Sequence, residues 1–231
     1  NMTPYSSNKA TGTLKDSLIS DIYLMDCIEG MKQYPDKYFD LAIVDPPYGI
    51  KQDLVQNDLG GKKGFTKGAG TYKKYHTTNW DNDIPNKEYF DELRRVCKNY
   101  IIWGGNYFEC LNDTGVIIWY KGDSGNFKEG ELAKTNINTF KIYKYSRADA
   151  YINDCDIKIH PTQKPVALYK WLLTNYAKQG DKILDSHLGS GSSRIAAYDL
   201  NFDFTGFELD PEYIEKSTIR FNNHINQLTL F

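Results

Sequence analysis

Short apolar segments alternate with amphipathic segments along most of this chain, and that alternation limits the folds open to it. The apolar segments predict β-strands over residues 22–25, 41–44, 100–103, 116–119, 183–184 and 204–207. The amphipathic segments predict helices over residues 27–33, 86–98, 165–178, 192–200 and 211–224. Strands that alternate with helices indicate an α/β fold with a mainly parallel sheet and helices on both faces.

Chain length and composition fit one globular domain. The 231 residues suffice for a single core, which we expect over residues 13–231. A formal net charge of −2 argues against a protein that coats nucleic acid, although it is compatible with a local basic surface. The apolar runs are too short to span a bilayer and the first residues are polar, so we expect no membrane contact and a cytoplasmic location.

The cysteines and histidines do not form a metal-binding pattern. Four cysteines lie at positions 27, 97, 110 and 155, and none belongs to a C-x-x-C pair. The four histidines are scattered, so we expect neither a metal nor a redox motif. Free thiols are typical of a reducing cytoplasm.

A short polar motif consisting of Asp45, Pro46, Pro47 and Tyr48 follows the predicted strand 41–44. Ligands of open α/β sheets bind beyond the carboxyl ends of the strands. Asp45 offers an acceptor for an amine N–H group, the Pro46 carbonyl offers a second, and Tyr48 offers a flat face for a base. Two acceptors would favour the pyramidal form of an exocyclic amine, whose lone pair can then attack. The same residues are also compatible with a simple turn.

A second motif joins a strand, a glycine-containing turn and a helix between positions 183 and 200. Gly189 and Gly191 let the backbone approach a ligand closely. About twenty residues later a predicted strand ends at Glu208, and an acid at this spacing commonly binds ribose hydroxyls. A dinucleotide fingerprint would need a third glycine where Arg194 stands, so the motif favours a nucleoside ligand without a pyrophosphate.

These segments resemble three motifs of the amino-methyltransferases. The residues from Asp45 to Tyr48 are similar to motif IV, those from His160 to Pro165 to motif X, and those from Asp185 to Gly191 to the cofactor motif I. The order IV, X, I, within residues 22–219, resembles the permuted β group of DNA adenine-N6 and cytosine-N4 methyltransferases. The resemblance implies a seven-stranded, Rossmann-like methyltransferase sheet and S-adenosylmethionine as the cofactor.

The resemblance also implies an activity. It is the site-specific transfer of a methyl group to adenine N6 in double-stranded DNA, after the base is flipped out of the duplex. Such an enzyme could act in restriction-modification or alone. Cytosine-N4 methylation is the nearest alternative, but a Ser usually begins motif IV there, so Asp45 favours adenine. An RNA-base or protein-glutamine methylase, where Asn usually begins the motif, and a catalytically inactive DNA-binding or assembly subunit are the other hypotheses.

The resemblance implies two groups of site residues. The residues that hold the flipped base would be Asp45, Pro46, Pro47 and Tyr48. The cofactor-binding residues would be Asp26 at the adenine, Glu208 at the ribose, Asp185, Gly189 and Gly191 in the loop, and Thr162 and Lys164 near the methionine carboxylate. His160 is expected to have a structural role. Ser186 and His187 replace the family's usual Pro-Phe, and the missing aromatic ring would change how the cofactor packs.

Two segments interrupt the alternation of strands and helices. Residues 51–76 contain six lysines against two aspartates, which gives a net charge of +4, and we expect a mobile loop that contacts DNA phosphates. The lysines assigned to DNA are Lys62, Lys63, Lys67, Lys73 and Lys74. Residues 121–157 are expected to recognise the target sequence. Within them, residues 139–145 predict a strand whose aromatic side chains fit either core packing or a DNA-facing surface.

The last five residues are Gln227, Leu228, Thr229, Leu230 and Phe231, after a helix expected to end near position 224. They resemble the short peptide by which bacterial replication and repair proteins bind the sliding clamp, with a Leu-Phe anchor and a Gln that fixes the register. The favoured alternative is that this tail packs on the core. A homodimer is also considered, because the segment available for target recognition is short.

Overall fold

The computed structural model describes residues 2–7, 17–49, 84–123, 128–146, 149 and 158–228. Its strands are β1 (Ser20–Leu24), β2 (Phe39–Val44), β3 (Cys97–Trp103), β4 (Gly115–Tyr120), β5 (Gly130–Thr135), β6 (Phe140–Lys144), β7 (Lys182–Asp185) and β8 (Asp203–Glu208). Its helices are α1 (Cys27–Met31), α2 (Lys87–Val96), α3 (Val166–Tyr176), α4 (Ser192–Asp199) and α5 (Pro211–Leu228).

The strands form one eight-stranded sheet in the order β1-β8-β7-β2-β3-β5-β4-β6. Strand β5 is antiparallel to both of its neighbours, and the other pairs are parallel. The prediction of an α/β fold with a mainly parallel sheet is therefore confirmed.

The sheet has one strand more than the seven expected, and the additional strand is β5. Its sequence, GELAKT, contains a glycine and two charged residues and so lacks the apolar run that predicts a strand. Only Ala133 and Thr135 are fully buried in it. Hydrogen bonding to β3 on one side and β4 on the other decides its conformation, because tertiary pairing overrides intrinsic propensity.

The core lies on both faces of the sheet, as alternating side chains of β2 illustrate. Leu41 and Ile43 belong to the apolar cluster that contains residues of α3, α4 and α5. Ala42 and Val44 belong to the opposite cluster, which contains residues of α2. Strands buried on both faces by helices are typical of parallel sheets, so the prediction of helices on both faces is confirmed.

The segment predicted to recognise the target sequence contributes two strands, β5 and β6, to this sheet. On β6, Tyr143 stacks on Trp171 of α3 with ring centroids 4.9 Å apart, and Tyr145 stacks on Tyr143. Core packing therefore accounts for these two aromatic residues, whereas Phe140 is largely exposed. Target recognition by residues 121–157 stays a prediction.

The carboxyl-terminal helix α5 continues to Leu228, four residues beyond its expected end near position 224. Gln227 and Leu228 of the proposed clamp peptide therefore lie within the helix, and residues 229–231 lie outside the described residues. The lysine-rich segment 51–76 also lies outside the described residues. In the part of the chain that the structure describes, no helix is both long and apolar enough to cross a membrane.

The sheet order brings the predicted motifs to one edge. Strands β1, β8, β7 and β2 are consecutive neighbours and all run parallel, so their carboxyl ends lie side by side. Asp26 follows β1, Glu208 ends β8, Asp185 ends β7 and Asp45 follows β2. This edge is where ligands bind in open α/β sheets.

Candidate active site

Asp45 occupies the first position after β2 and is partly buried. Its Oδ1 accepts a hydrogen bond from the Tyr48 hydroxyl, and its Oδ2 lies 2.5 Å from Lys164 Nζ. Pro46 and Pro47 lack an N–H group and fix their φ angles, which stiffens the turn between Asp45 and Tyr48. The turn thus presents a carboxylate whose two oxygens are both held by side chains of this chain.

The ring of Tyr48 contacts two residues of the segment after β3, which the sequence analysis did not single out. Tyr107 stacks on it with centroids 5.1 Å apart and an interplanar angle of 15°. Gly104, with φ of 68°, lies so close to Tyr48 that a Cβ there would overlap the ring. In the sequence, two consecutive glycines directly after the predicted strand 100–103 indicate a close contact, but they do not indicate that Tyr48 is the side chain that makes it.

Lys164 points toward the Asp45 turn and is almost completely buried, with 3% of its side chain exposed. Its Nζ is 2.5 Å from Asp45 Oδ2 and 3.1 Å from Oε2 of Glu131 on β5. Burial opposes ionisation, but the two carboxylates raise the pKa of Lys164 above its ordinary value, so it is charged. Glu131 was missed by sequence reasoning because β5 was not recognised. The role of Lys164 near the methionine carboxylate stays a prediction.

The glycine loop between β7 and α4 is held by the neighbouring strand. Gly189 has a φ of 49°, and its amide donates a hydrogen bond of 2.7 Å to Glu208 Oε2. The other carboxylate oxygen of Glu208 accepts from the amides of Leu209 and Asp210, at 3.0 and 2.9 Å. Burial raises the pKa of Glu208, although these amides oppose that effect. Glu208 therefore fixes the loop geometry in addition to any contact with a ligand.

Gly191 precedes α4 with a φ of 71°, in the left-handed region that favours glycine. A Cβ built on it would lie 3.1 Å from the Cβ of Ser217 on α5. The sequence analysis explained this glycine by close approach of a ligand, whereas the structure places helix α5 on that side. Arg220 of α5 also donates a 2.8 Å hydrogen bond to the carbonyl of Ser190, so α5 packs against the glycine loop and binds its backbone.

Asp185 ends β7 and is buried. Its Oδ1 accepts from the amide of His187 at 3.0 Å, and its Oδ2 accepts from the hydroxyl of Ser193 at 2.5 Å. Burial raises the pKa of Asp185 to about 7, although these hydrogen bonds oppose the shift. Asp185 thereby connects the start of the loop to the first turn of α4.

His187 stands where the resembling family has an aromatic residue. Its Nδ1 is 2.9 Å from the hydroxyl of Ser186, which is itself 2.8 Å from the hydroxyl of Tyr89. The rings of His187 and Tyr89 meet edge to face with centroids 5.3 Å apart. Burial lowers the pKa of His187 to about 4, so the imidazole is uncharged at neutral pH. It packs as a neutral ring with one hydrogen-bonded nitrogen.

The remaining predicted cofactor residues flank this loop. Asp26 is exposed and caps α1, because its Oδ1 accepts from the amides of Ile28 and Glu29 at 2.8 and 3.1 Å. The Thr162 hydroxyl is 3.0 Å from His160 Nδ1, and the His160 ring would lie 3.8 Å from a Cβ on Gly189. Motif X is therefore next to the glycine loop. Among the described residues, no group of three or more His, Cys, Asp or Glu side chains is arranged to hold a metal ion.

Comparison with known proteins shows a similarity to DNA methylases. The family model described as DNA methylase, of the N6/N4 type, matches residues 134–219. The Type II methyltransferase M.HpaI of Haemophilus parainfluenzae is 25% identical over 247 residues, which cover 87% of this chain and 74% of that protein. The Type II methyltransferase M2.MboI of Moraxella bovis is 25% identical over 251 residues, which cover 87% of each chain.

Solved structures agree with the fold. M1.HpyAVI, solved as a complex with SAM, superposes with a TM-score of 0.56 at 20% identity, covering 86% of this chain and 98% of that one. The cytosine-N4-specific PvuII DNA methyltransferase gives 0.56 at 15% identity, covering 89% and 92%. The predicted methyltransferase fold is confirmed by this similarity. The match to the family model and the two relatives show that this chain is similar to DNA methylases of the N6/N4 type.

Proposed function

We propose that this protein transfers a methyl group from S-adenosylmethionine to the N6 amine of adenine in DNA. The observation that carries the proposal is the pairing of β2 with β7, which sets the Asp45 turn beside the start of the glycine loop. An amine acceptor and a nucleoside-binding loop on adjacent strand ends are what a direct transfer between two bound molecules requires.

The chemistry of the residues at this edge fits S-adenosylmethionine. Asp26, Asp45, Asp185 and Glu208 all lie at the carboxyl ends of neighbouring strands. Carboxylates suit the hydroxyl and amine donors of an adenosine. They also suit a ligand whose sulfonium and ammonium groups carry positive charge. When bound, S-adenosylmethionine supplies an activated methyl group, and the protein supplies orientation and electrostatics.

The target amine would bind at the Asp45 turn. Asp45 accepts one N–H of the amine and the Pro46 carbonyl accepts the other, which frees the nitrogen lone pair. A carboxylate has about four lone-pair sites, so Asp45 can add this acceptor role to its bonds with Tyr48 and Lys164. Tyr107 covers one face of the Tyr48 ring, so the base would stack on the other face, and it has to leave the stack of the duplex to reach this position.

Adenine is favoured over cytosine because Asp45, rather than a serine, begins the motif. The relatives M.HpaI and M2.MboI carry no base in their names, and the PvuII enzyme is cytosine-N4-specific. The base is therefore the part of the proposal that most needs a direct test.

The first test measures binding and transfer separately. Calorimetry with S-adenosylmethionine should show binding at a single class of site. Cofactor with a tritiated methyl group should label unmethylated plasmid DNA that is long enough to contain any short recognition sequence. Single-stranded DNA and RNA of matched composition serve as alternative acceptors. Cofactor binding without label in any nucleic acid would support the inactive-subunit hypothesis and reject the proposed activity.

A further inference from the structure

A row of four alternating charges begins at the Asp45 turn. Lys121 of the segment after β4 binds Glu131 of β5, Glu131 lies 3.1 Å from Lys164, and Lys164 lies 2.5 Å from Asp45. The exposed fractions of the four side chains are 10%, 26%, 3% and 17% in that order. The row contains two ammonium groups and two carboxylates, so its formal charge is balanced.

The charge balance of this row depends on the carboxylate of Glu131. Burial alone would raise the pKa of Glu131, but Lys164 and Lys121 lower it to about 2, so it is ionised at neutral pH. Lys164 has two carboxylate partners and Asp45 has one ammonium partner. Without the charge on Glu131, the buried ammonium of Lys164 would have Asp45 as its only carboxylate within ion-pair distance among the described residues.

We infer that Glu131 is a positioning residue for methyl transfer, which acts by sharing the ammonium of Lys164 with Asp45. This inference rests on the proposed function. Because Lys164 binds both Glu131 and Asp45, its hold on Asp45 is weaker than it would be with Asp45 alone. The Asp45 carboxylate can then point a free lone pair at the target amine. Loss of the Glu131 charge draws Lys164 onto Asp45, which weakens Asp45 as an acceptor without touching the cofactor loop.

A purely structural role for Glu131 makes a different prediction. The fully buried packing positions of β5 are Ala133 and Thr135, whereas Glu131 is partly buried near the start of the strand. If shape were what mattered, glutamine, which has the same shape, would be tolerated better than the shorter aspartate. If the charge matters, aspartate restores more function than glutamine, because it keeps an anion next to Lys164 and Lys121.

The test compares Glu131→Gln with Glu131→Asp, and Glu129→Gln is the matched control because Glu129 is exposed two residues away. Methyl transfer to DNA is measured under single-turnover conditions, and cofactor affinity is measured by calorimetry. Glu131→Gln should slow transfer by about ten- to a hundredfold, the range that misplacement of a reacting group produces. Glu131→Asp should be clearly faster than Glu131→Gln, and cofactor affinity should change far less than the rate of transfer in all three variants.

The Lys164→Met background shows whether Glu131 acts through Lys164. In that background Glu131→Gln should cost much less than in the wild type, because residues that act in one network are not additive. Full activity of Glu131→Gln, or Glu131→Asp no better than Glu131→Gln, would overturn the inference even if Lys164→Met is inactive. Equal losses in both backgrounds would overturn it as well. Methyl transfer by the wild-type protein tests the proposed activity by itself. Its result, whichever base is methylated, does not depend on the result for Glu131.

Discussion

The amide of Gly189 donates a 2.7 Å hydrogen bond to Glu208 Oε2, which joins the glycine loop after β7 to the end of β8. Glu208 also accepts from the amides of Leu209 and Asp210. One carboxylate therefore orders two backbone segments next to the proposed nucleoside site. A side chain with a single acceptor oxygen cannot satisfy all three amides.

Glu208→Gln should for this reason bind S-adenosylmethionine about tenfold more weakly, the cost of one lost charge-assisted hydrogen bond. The measurement is calorimetric titration with the cofactor, and Glu215→Gln on the exposed side of α5 is the matched control. Equal affinities for Glu208→Gln and the control would mean that Glu208 contacts neither the ribose nor a loop that matters for binding.

Gly191→Ala should destabilise the protein and weaken cofactor binding. A left-handed alanine costs about 1 kcal/mol, and its Cβ would also press on Ser217 of α5. Gly180→Ala is the control, because Gly180 has a φ of 91° but open space around its Cβ position. Both variants should lose unfolding free energy in urea, and only Gly191→Ala should lose cofactor affinity. The same affinity loss in both would point to a general effect of instability.

His187→Phe should reduce the pH dependence of stability. Burial lowers the folded-state pKa of His187 from 6.5 to about 4, so between these values the unfolded chain binds a proton that the folded protein does not. The histidine therefore costs about 1.4 kcal/mol of unfolding free energy for each pH unit as the pH falls through that window. Phenylalanine removes this contribution. Urea unfolding at several pH values between 6.5 and 4 measures it, and parallel curves for wild type and variant would contradict the lowered pKa of His187.

Lys62, Lys63 and Lys67 were assigned to DNA phosphates from the charge of segment 51–76, which lies outside the described residues. Their joint replacement by glutamine should weaken DNA binding and reduce the slope of log K against log salt by up to about 3, since each phosphate contact contributes about 0.9. Fluorescence anisotropy over a salt series measures the slope. If the slope is identical in the triple variant, these lysines do not contact the DNA backbone.

Local sequence patterns predicted the elements that depend on their own residues. The apolar runs predict β2 and β7. Ligands bind beyond the carboxyl ends of parallel strands, so the residues directly after these two strands, Asp45 and the glycine loop, could be predicted as site residues. Strand β5 was missed because it is held by its two neighbours and not by an apolar pattern. The contact between Glu131 and Lys164 could not be predicted without β5, since it joins two positions that are distant in sequence and meet only through the order of the strands.

Identification of the methylated nucleoside tests the central claim most directly. Plasmid DNA lacking all methylation is incubated with the protein and S-adenosylmethionine, digested to nucleosides and analysed by mass spectrometry. Asp45→Ala should bind the cofactor normally and lose at least about a hundredfold in product, while Asp91→Ala on the exposed side of α2 should be fully active. The account predicts N6-methyladenine with no N4-methylcytosine from the wild type. N4-methylcytosine as the product, or unchanged product from Asp45→Ala, would contradict it.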